Sequence, residues 1–510
     1  MATIVELYDR ARHVHRSGNL EHAETLYQAI LQADPGHADA HHLLGLLDYQ
    51  TGRHDAALAL IRRAIGLNPN VAAYHSNLAL VLIAQEQMAE AVECCRRALR
   101  LNPPLPDALR GPGVPANVPA TGEALECHVN IHNNLGICLT GLGELPEAVA
   151  SLREALRLRP HFADALSNLG LALRFMGQLD EAAACFDQAL RYNPAHLSAH
   201  ANRAMFRLLR GNFKEGWPEF EFRWGQHGIM ESHTDRPRWD GSPLPDTTIL
   251  VYAEQGLGDT LQFIRYAPLV KERVGTVLFE CQAPLKHLLK GIAGVDQVVA
   301  EGAPLPPFDV QTPLLSLPAI FGTTLATIPA VVPYLRADPE RVAYWSKELN
   351  FLKGLRVGIA WQGKTSFKDD KYQYRSLPLA QFETLERLKG VQLVSLQVGI
   401  GTDQLRAVAG RFPLLDLSDR LDKTGAFIDT AAVLTNLDLL VTVDSAVAHV
   451  AGALGVPVWV ALPFAPCWRW LAERADSPWY PTMRLFRQSR PGDWSAVFER
   501  IATELVSRVA

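Results

Sequence analysis

The residues best suited to chemistry follow a short apolar stretch in the second half of the chain, in the segment EQGLGDTLQFIRY. Gly256 and Gly258 permit a tight turn at the start of a helix, whose free backbone amides can face an anion or a reacting oxygen. Asp259 lies at that helix start, where it either interacts with the helix N-terminus or acts as a general base in a cleft. Gln255, directly before the first glycine, is a further candidate ligand contact.

A second candidate segment, DSAVAHVAGALG, follows another apolar run. Asp444 and Ser445 can cap the helix that begins there, and the small side chain of Ala446 lets a diphosphate approach the helix amides. His449 lies one turn into the helix, on the side of Ser445. It is either a ligand contact or a packed, hydrogen-bonded core residue.

Three further candidates stand at the ends of two other apolar runs. Trp361 ends LRVGIAW and Gln397 ends VSLQ, where its amide could hydrogen-bond a ribose or a base. The loop QGKTSFKDDKYQYRS follows Trp361, and one of its lysines, Lys364 or Lys371, could stabilise a departing diphosphate. The alternative is that these lysines are simply solvated.

Elements that could position these residues are indicated from residue 248 onward, where nearly continuous apolar runs alternate with helical stretches. This pattern predicts parallel sheets covered on both faces, which bind ligands at the carboxyl ends of their strands. Two sets of runs predict two Rossmann-like domains, over 248–345 and 346–510. A segment rich in Pro, Gly, Asp and Ser predicts a linker over 226–247.

The first half of the chain is a repeat. Small residues recur in two series with a spacing of 34, broken once by a spacing of 57. The first series is Ala11, Gly45, Ala79, Gly136, Gly170 and Ala204, and the second is Ala23, Ala57, Ala91, Ala148, Ala182 and Gly216. This register resembles the tetratricopeptide repeat, in which paired helices cross closely at small residues. It predicts an α-solenoid of six repeats over residues 1–225, with a Pro- and Gly-rich loop inserted at about 106–128.

Composition narrows the choice of partners. The 510 residues carry 49 Lys and Arg against 54 Asp and Glu, a net charge of -5, so nucleic acid is not an expected partner. The seven cysteines form no CxxC pair, which argues against a disulfide framework or a thiolate zinc site. No secretory signal or transmembrane segment is evident, and we expect a cytoplasmic protein.

The second half resembles a known enzyme family. The matching segments are EQGLGDTLQFIRYAPL, VGIAWQG, VSLQ, DTAAVLTNLDLLVTVDSAVAHVAGALGVPVWVALPF and SPWYPTMRLFRQ. Together they resemble bacterial tetratricopeptide proteins that carry a heptosyltransferase-like (family 9) glycosyltransferase domain. This resemblance implies a GT-B fold of two Rossmann-like domains and inverting transfer from a nucleotide-diphosphate sugar, without a metal or another cofactor.

The resemblance also assigns roles to residues. Asp259 corresponds to the proposed base, and Asp444, Ser445 and His449 correspond to the element that holds the nucleotide sugar. The loop lysine corresponds to Lys364 or Lys371. Cys467 stands before WRW where the family pattern has an acidic residue, and Trp468, Arg469 and Trp470 are candidate groups at the cleft edge.

Two other functions remain open at this stage. In the first, the repeats bind partners and the transferase half is catalytically silent. The second is a dinucleotide oxidoreductase, because GLGDTL begins like GxGxxG and Glu280 follows at a suitable spacing, although Leu261 replaces the third glycine.

The repeats also carry a ladder of asparagines at one register position. Its members are Asn77, Asn134, Asn168 and Asn202. An asparagine amide both donates and accepts, so the ladder could bind the backbone of a polypeptide acceptor or partner along the groove. A similar ladder occurs in the repeat domain of O-GlcNAc transferases. Alternatively, each amide pairs with the neighbouring repeat and orders the stack.

Overall fold

The computed structural model describes residues 3–102, 122–224, 232–363 and 375–509. The described residues form two compact units, one ending at Ala199 and the other beginning at His200. The first unit is helical, and the second contains two parallel β-sheets.

The described part of the first unit consists of ten α-helices that pack as consecutive pairs. They are α1 (Ile4–Arg16), α2 (Leu20–Ala33), α3 (Ala38–Gln50), α4 (His54–Leu67), α5 (Ala72–Ala84), α6 (Met88–Leu101), α7 (Gly122–Leu142), α8 (Leu145–Leu158), α9 (Ala163–Phe175) and α10 (Leu179–Tyr192).

Close approach within each pair explains the small residues of the 34-residue register. A Cβ added to Gly136 would lie 2.4 Å from Cγ of Leu152, and one added to Gly170 would lie 2.6 Å from Cε1 of Phe186. No real Cβ tolerates such distances, so a larger residue would push the paired helices apart.

The predicted insertion at about 106–128 is too long at its C-terminal end. Helix α7 begins at Gly122, so the last part of the predicted loop is helical. The sequence explains the difference, because the Pro- and Gly-rich composition ends at Gly122 and EALEC, which follows, is dominated by strong helix formers. Residues 103–121 lie outside the described part of the chain.

Helix α11 (Leu197–Leu209) crosses the boundary between the units, and α12 (Phe213–Phe220) belongs to the second. The strands are β1 (Leu244–Tyr252), β2 (Val274–Cys281), β3 (Gln297–Ala300), β4 (Val310–Pro313), β5 (Leu355–Ala360), β6 (Val391–Ser395), β7 (Leu415–Asp416), β8 (Leu439–Val443), β9 (Val458–Leu462) and β10 (Met483–Arg487). The remaining helices are α13 (Leu257–Phe263), α14 (Ala267–Lys271), α15 (Leu317–Ile320), α16 (Pro339–Glu348), α17 (Glu383–Glu386), α18 (Gln404–Val408), α19 (Ile428–Leu434), α20 (Ala446–Leu454) and α21 (Trp494–Val509).

The predicted linker over 226–247 is also corrected at its end. Strand β1 starts at Leu244, whose Cα pairs with that of Val274, and the register then shifts before Thr248. The sequence does not indicate this start, because Pro245 and Asp246 interrupt the apolar run where the pairing is irregular. The beginning of the linker, residues 226–231, is not among the described residues.

Every strand pair in the described part of the second unit is parallel. The first sheet has the order β3-β2-β1-β4, and the second has the order β10-β9-β8-β5-β6-β7. Counted from β5 as the first strand, the second order reads 3-2-1-4-5-6, the doubly wound order of dinucleotide-binding folds. The chain reverses its direction of winding between β5 and β8, and ligands bind such sheets at the carboxyl end of that position.

An aromatic cluster joins α12 to the α/β core. Trp217 is buried, and its ring centroid lies 6.1 Å from that of Phe263, 5.3 Å from Trp468 and 6.3 Å from Trp479. All three rings meet Trp217 edge to face, a favoured arrangement for aromatic pairs. The last helix of the repeat register is therefore part of the second unit's core.

Candidate functional site

Directly after β5, the chain as far as Gly363 lies beside the start of the polar segment that follows β8, at the carboxyl edge of the second sheet. Strand β5 is hydrogen-bonded to β8, and each strand ends directly before one of these stretches. A Cβ added to Gly363 would lie 3.7 Å from the carbonyl oxygen of Asp444 and 3.9 Å from Cβ of Ser445. The switch point of the sheet thus carries a glycine on one side and the start of α20 on the other.

The glycine turn after β1 packs against the same helix start. A Cβ added to Gly258 would lie 2.9 Å from Cδ2 of His449 and 3.6 Å from Cα of Ala446. Only a residue without a side chain permits this approach of α13 to α20. The structure therefore brings together the two segments that the sequence singled out, although they follow strands of different sheets.

Asp259 makes two contacts within this site. Its Oδ2 accepts a hydrogen bond of 3.0 Å from the backbone N–H of Gly256, and its Oδ1 forms an ion pair with Nη2 of Arg469. The side chains of Asp259 and Arg469 are 16% and 11% exposed. Asp259 therefore makes the capping contact and also keeps a small part of its side chain accessible.

Arg469 is held over an aromatic ring. Its guanidinium carbon lies 4.4 Å from the ring centroid of Trp468, and Nη1 lies 3.0 Å from Sγ of Cys467. Burial lowers the pKa of Arg469 to about 10, so the side chain remains cationic at neutral pH. The segment WRW therefore supplies a positive charge at the site.

His449 is almost completely buried in α20. Its Nδ1 lies 2.9 Å from the hydroxyl of Tyr480, and its ring stacks on Trp470 with a centroid distance of 5.5 Å. Burial, with the positive charges of Arg265 and Arg375, lowers the pKa of His449 to about 3. The imidazole is neutral at physiological pH.

The start of α20 is less completely capped than the sequence predicted. Ser445 occupies the N-cap position, but its side chain makes no capping hydrogen bond and lies 3.4 Å from Oγ1 of Thr442. Asp444 is buried, and this burial raises the pKa of its carboxyl, an effect partly offset by Arg375 and the indole of Trp470. The Trp470 Nε1–H approaches that carboxyl without completing a well-formed hydrogen bond.

Two predicted nucleotide contacts are corrected by the structure. Trp361 is completely buried, and its Nε1–H donates to the carbonyl oxygen of Gly401 over 3.1 Å. The Gln397 amide is also internal: Oε1 accepts from the N–H groups of Trp361 and Gln362, and Nε2 donates to the carbonyl oxygens of Gln362 and Ile400. Both side chains stabilise the strand ends and offer no free group to a nucleotide.

The remaining predicted ligand contacts are Gln255 and the loop lysines. Gln255 is exposed and has a positive φ of 63°, a conformation that non-glycine residues adopt rarely. Its carbonyl oxygen accepts from Nε2 of Gln282 over 3.3 Å. Lys364 and Lys371 both lie outside the described residues.

Sequence reasoning missed Arg265 and Tyr480. The hydroxyl of Tyr480 contacts His449, and Arg265 packs against the ring of Tyr480. Arg265 is buried and donates from Nη2 to the hydroxyl of Tyr334 over 2.8 Å, and from Nε to the carbonyl oxygen of Gln262 over 2.7 Å. Its guanidinium carbon lies 4.4 Å from the ring centroid of Tyr480. Both missed residues stand inside the matching segments, IRYAPL and SPWYPT, but no spacing indicates that they meet.

In the first unit, two members of the asparagine ladder pair with the neighbouring repeat. Asn77 donates to Nε2 of His42 over 2.8 Å, and Asn168 donates to Oδ1 of Asn133 over 2.9 Å. Burial lowers the pKa of His42 to about 4, so its ring is neutral and can accept. These contacts favour the stack-ordering role for Asn77 and Asn168.

The other two members of the ladder, Asn134 and Asn202, differ in burial. Asn134 is 3% exposed, and its Nδ2 has no hydrogen-bond partner within the described ranges. Asn202 is half-buried.

The described part of the chain contains no group of three or more His, Cys, Asp or Glu side chains placed to hold a metal ion. Among the same residues, none of the helices combines the length and the apolar character required to cross a bilayer.

Models of the tetratricopeptide repeat match residues 8–72, 42–106, 136–174 and 163–196. The N-terminal region is an array of tetratricopeptide repeats. This confirms the tetratricopeptide repeats that the 34-residue register predicted.

Similarity over nearly the whole chain is found with Protein FlbA of Caulobacter vibrioides. The two are 26% identical over 526 residues, covering 96% of this chain and 82% of FlbA. TPR repeat-containing thioredoxin TTL4 of Arabidopsis thaliana is 44% identical over 59 residues, which is 12% of this chain and 9% of that protein.

Solved structures that resemble parts of the chain include MamA, with 20% identity, a TM-score of 0.28 and coverage of 36% of this chain and 94% of MamA. The TPR protein YrrB has 19% identity and a TM-score of 0.28, and the match covers 38% of this chain and 89% of YrrB. PilW, a type IV pilus biogenesis factor, has 18% identity and a TM-score of 0.34, and the match covers 43% of this chain and 93% of PilW.

Proposed function

We propose that the second unit is a metal-independent inverting glycosyltransferase of the GT-B type, which takes its sugar from a nucleotide-diphosphate donor. The observation that carries this proposal is the contact of the Gly258 turn with Ala446 and His449 at the start of α20. It puts the candidate base, Asp259, next to a helix start that follows the switch point of a doubly wound sheet. The resemblance of the sequence to heptosyltransferase-like enzymes supports the same assignment.

In the proposed reaction, Asp259 accepts the proton of an acceptor hydroxyl while that oxygen bonds to the anomeric carbon from the face opposite the leaving group. The bond between that carbon and the diphosphate oxygen breaks, and the nucleoside diphosphate leaves with the electron pair. The amides at the start of α20, which lack a side-chain cap, and the cationic Arg469 would stabilise the negative charge that develops.

The ion pair between Asp259 and Arg469 imposes a condition on this mechanism. A carboxylate paired with a guanidinium is a weakened base, because the positive charge favours its ionised form. We propose that the donor diphosphate competes for Arg469 and so releases Asp259 when the substrate is bound. The same arginine would then supply the charge that the sequence assigned to Lys364 or Lys371.

For the acceptor, we propose a polypeptide recruited by the tetratricopeptide array. Such arrays present an extended surface formed by stacked helices, which suits an elongated partner. Because Asn77 and Asn168 are engaged between repeats and Nδ2 of Asn134 has no partner within the described residues, Asn134 is the ladder member to examine first. A lipid-linked or free glycan acceptor is the alternative.

The same ion pair also favours a second candidate function. If Arg469 neutralises Asp259 permanently, the transferase half is silent and the chain is a scaffold whose repeats bind partners. The two candidates differ in whether a donor substrate binds and turns over.

Thermal-shift measurements with UDP-, GDP-, ADP- and CMP-sugars, the free nucleotides and NAD(P) would test the proposal on the full chain. A ligand that binds only the folded state raises the melting temperature. We expect one nucleotide-sugar class to stabilise the protein and to be consumed with release of its diphosphate when a protein acceptor is added. Stabilisation by NAD(P) alone would favour the oxidoreductase, and no response to any nucleotide would favour the scaffold.

A further inference from the structure

The hydrogen bonds behind His449 fix where its single ring proton is. Tyr334 has one hydroxyl proton, which it donates to the carbonyl oxygen of Leu261 over 2.8 Å, and its oxygen accepts from Arg265 over 2.8 Å. The hydroxyls of Tyr334 and Tyr480 are 3.4 Å apart, too far for a good O–H···O bond. The best acceptor in reach of the Tyr480 proton is therefore Nδ1 of His449, at 2.9 Å.

We propose that Tyr480 is a positioning residue that holds His449 as the neutral Nε2–H tautomer, so that Nε2–H is a hydrogen-bond donor to a phosphate oxygen at the start of α20. An imidazole that accepts at Nδ1 must carry its proton at Nε2. The phosphate ligand rests on the proposed function, whereas the tautomer does not.

The position of Nε2 supports this role. His449 is 4% exposed, and the described residues provide hydrogen-bond partners only for its Nδ1. Nε2 lies on the side of the glycine turn, 3.5 Å from the place that a Cβ on Gly258 would occupy. Although the ring is buried, Nε2 itself is not among the fully enclosed polar atoms that lack a partner, so a ligand oxygen or a water can reach it there.

The surroundings of His449 keep the ring neutral. The cations that act on it are Arg265, behind the ring, and Arg375, after the loop that follows β5. Tyr480 is completely buried, and its burial raises the pKa of its phenol, so it remains a proton donor. Asp444, five residues earlier in the chain, is also buried, and this burial raises the pKa of its carboxyl. The neutral donor is thus maintained over the physiological pH range.

The tautomer can be read directly from ¹⁵N NMR spectra of full-length protein with labelled histidines, in which His449→Gln identifies the His449 signals. We expect the free wild-type protein to show one neutral form protonated at Nε2. Tyr334→Phe, which removes a partly buried phenol hydroxyl of the same cluster, should leave that form unchanged. Tyr480→Phe should introduce the Nδ1–H form. Wild-type protein protonated at Nδ1 would overturn the proposal, even if Tyr480→Phe did not fold.

The ligand part is tested by titrating UDP, ADP, GDP and CMP, with their sugars, into the same samples. We expect the nucleotide that binds to shift the Nε2 signal, and Tyr480→Phe to weaken its binding roughly two- to tenfold, the usual range for one hydrogen bond. A nucleotide that binds without moving the Nε2 signal would refute the phosphate contact alone. If no nucleotide binds, the proposed function and the phosphate contact both fail, whereas the tautomer is still decided by the free protein.

Discussion

The guanidinium of Arg469 pairs with the carboxylate of Asp259 across 210 residues of chain. Asp259 stands at the start of α13 and Arg469 in the short 3₁₀ turn Trp468–Trp470, so the pair joins the turn after β1 to the segment after β9. Because the carboxylate is the proposed base and the guanidinium the proposed phosphate contact, breaking this pair should affect binding and turnover in opposite directions.

The first prediction concerns Asp259→Asn. We expect transfer to fall on the order of a hundredfold or more, the usual scale for removal of an acid-base group. Binding of the nucleoside diphosphate should be retained or strengthened, because Arg469 no longer has a carboxylate partner. Steady-state transfer and calorimetric titration of the nucleotide measure the two effects.

Asp296→Asn is the matched control, since Asp296 forms an ion pair of 2.7 Å with Lys271 elsewhere in the same unit. It should change neither transfer nor nucleotide affinity. If Asp259→Asn transferred sugar at the wild-type rate, Asp259 would not be the base.

Much of the fold followed from the sequence because it depends on periodic patterns. The small residues of the 34-residue register marked the helix crossings, and Gly136 and Gly170 stand where no larger residue fits. The apolar runs likewise marked the parallel strands. The start of β1 at Leu244 was missed, because its first residues are polar or proline and its pairing is irregular.

The site was predicted less completely, since a strand end does not tell which side chains face outward. Gln397 and Trp361 occupy the expected strand ends, yet both turn inward and complete the hydrogen bonding of the backbone. The role of Tyr480 depends on a contact with His449 over 31 residues that no motif encodes. Such contacts are set by tertiary packing and become visible only in three dimensions.

The second prediction tests the role of the asparagine ladder. Asn168→Ala removes the 2.9 Å hydrogen bond to Asn133 and should lower the unfolding free energy of the repeat array by about 0.5–1.5 kcal/mol. Asn130→Ala is a suitable control, because Asn130 makes only a 3.4 Å contact with Glu126 on its own helix. Urea unfolding followed by circular dichroism measures both variants. Equal stability of Asn168→Ala and the wild type would argue against a stack-ordering role.

The third prediction concerns Asn134, whose Nδ2 is unpartnered within the described residues. If the array presents the acceptor, Asn134→Ala, combined with the same change at Asn202, should lower transfer to protein more than hydrolysis of the nucleotide sugar. The ratio of the two rates, measured in one assay, separates acceptor binding from catalysis. If both activities fell equally, or if neither fell, the result would favour a lipid-linked or free glycan acceptor instead.

The fourth prediction is that turnover continues in excess EDTA. The proposed stabilisation of the leaving diphosphate comes from Arg469 and the amides at the start of α20, and the sequence has no Asp-x-Asp pair to clamp a metal. Transfer should be equal with EDTA and with added Mg²⁺. Activity that is lost in EDTA and restored by Mg²⁺ would establish a metal-assisted site instead.

The last prediction links His449 to the pH dependence of stability. Its pKa is lowered to about 3 in the folded protein, whereas an unfolded histidine titrates near 6.5. Between these values the unfolded chain binds more protons than the folded one, so stability rises with pH across this window. The contribution of the neutral histidine is complete above about pH 6.5 and is lost progressively as the pH falls toward 3.

On acidification, the wild type should therefore lose stability that His449→Gln, which cannot titrate at this position, does not lose. Calorimetric melting temperatures between pH 7.5 and 4 should show the gap between wild type and variant closing as the pH falls. His161→Gln, a change at an exposed histidine of the first unit, should show no such closing. A gap for His449→Gln that stays constant over the whole range would mean that His449 is not held in its neutral form.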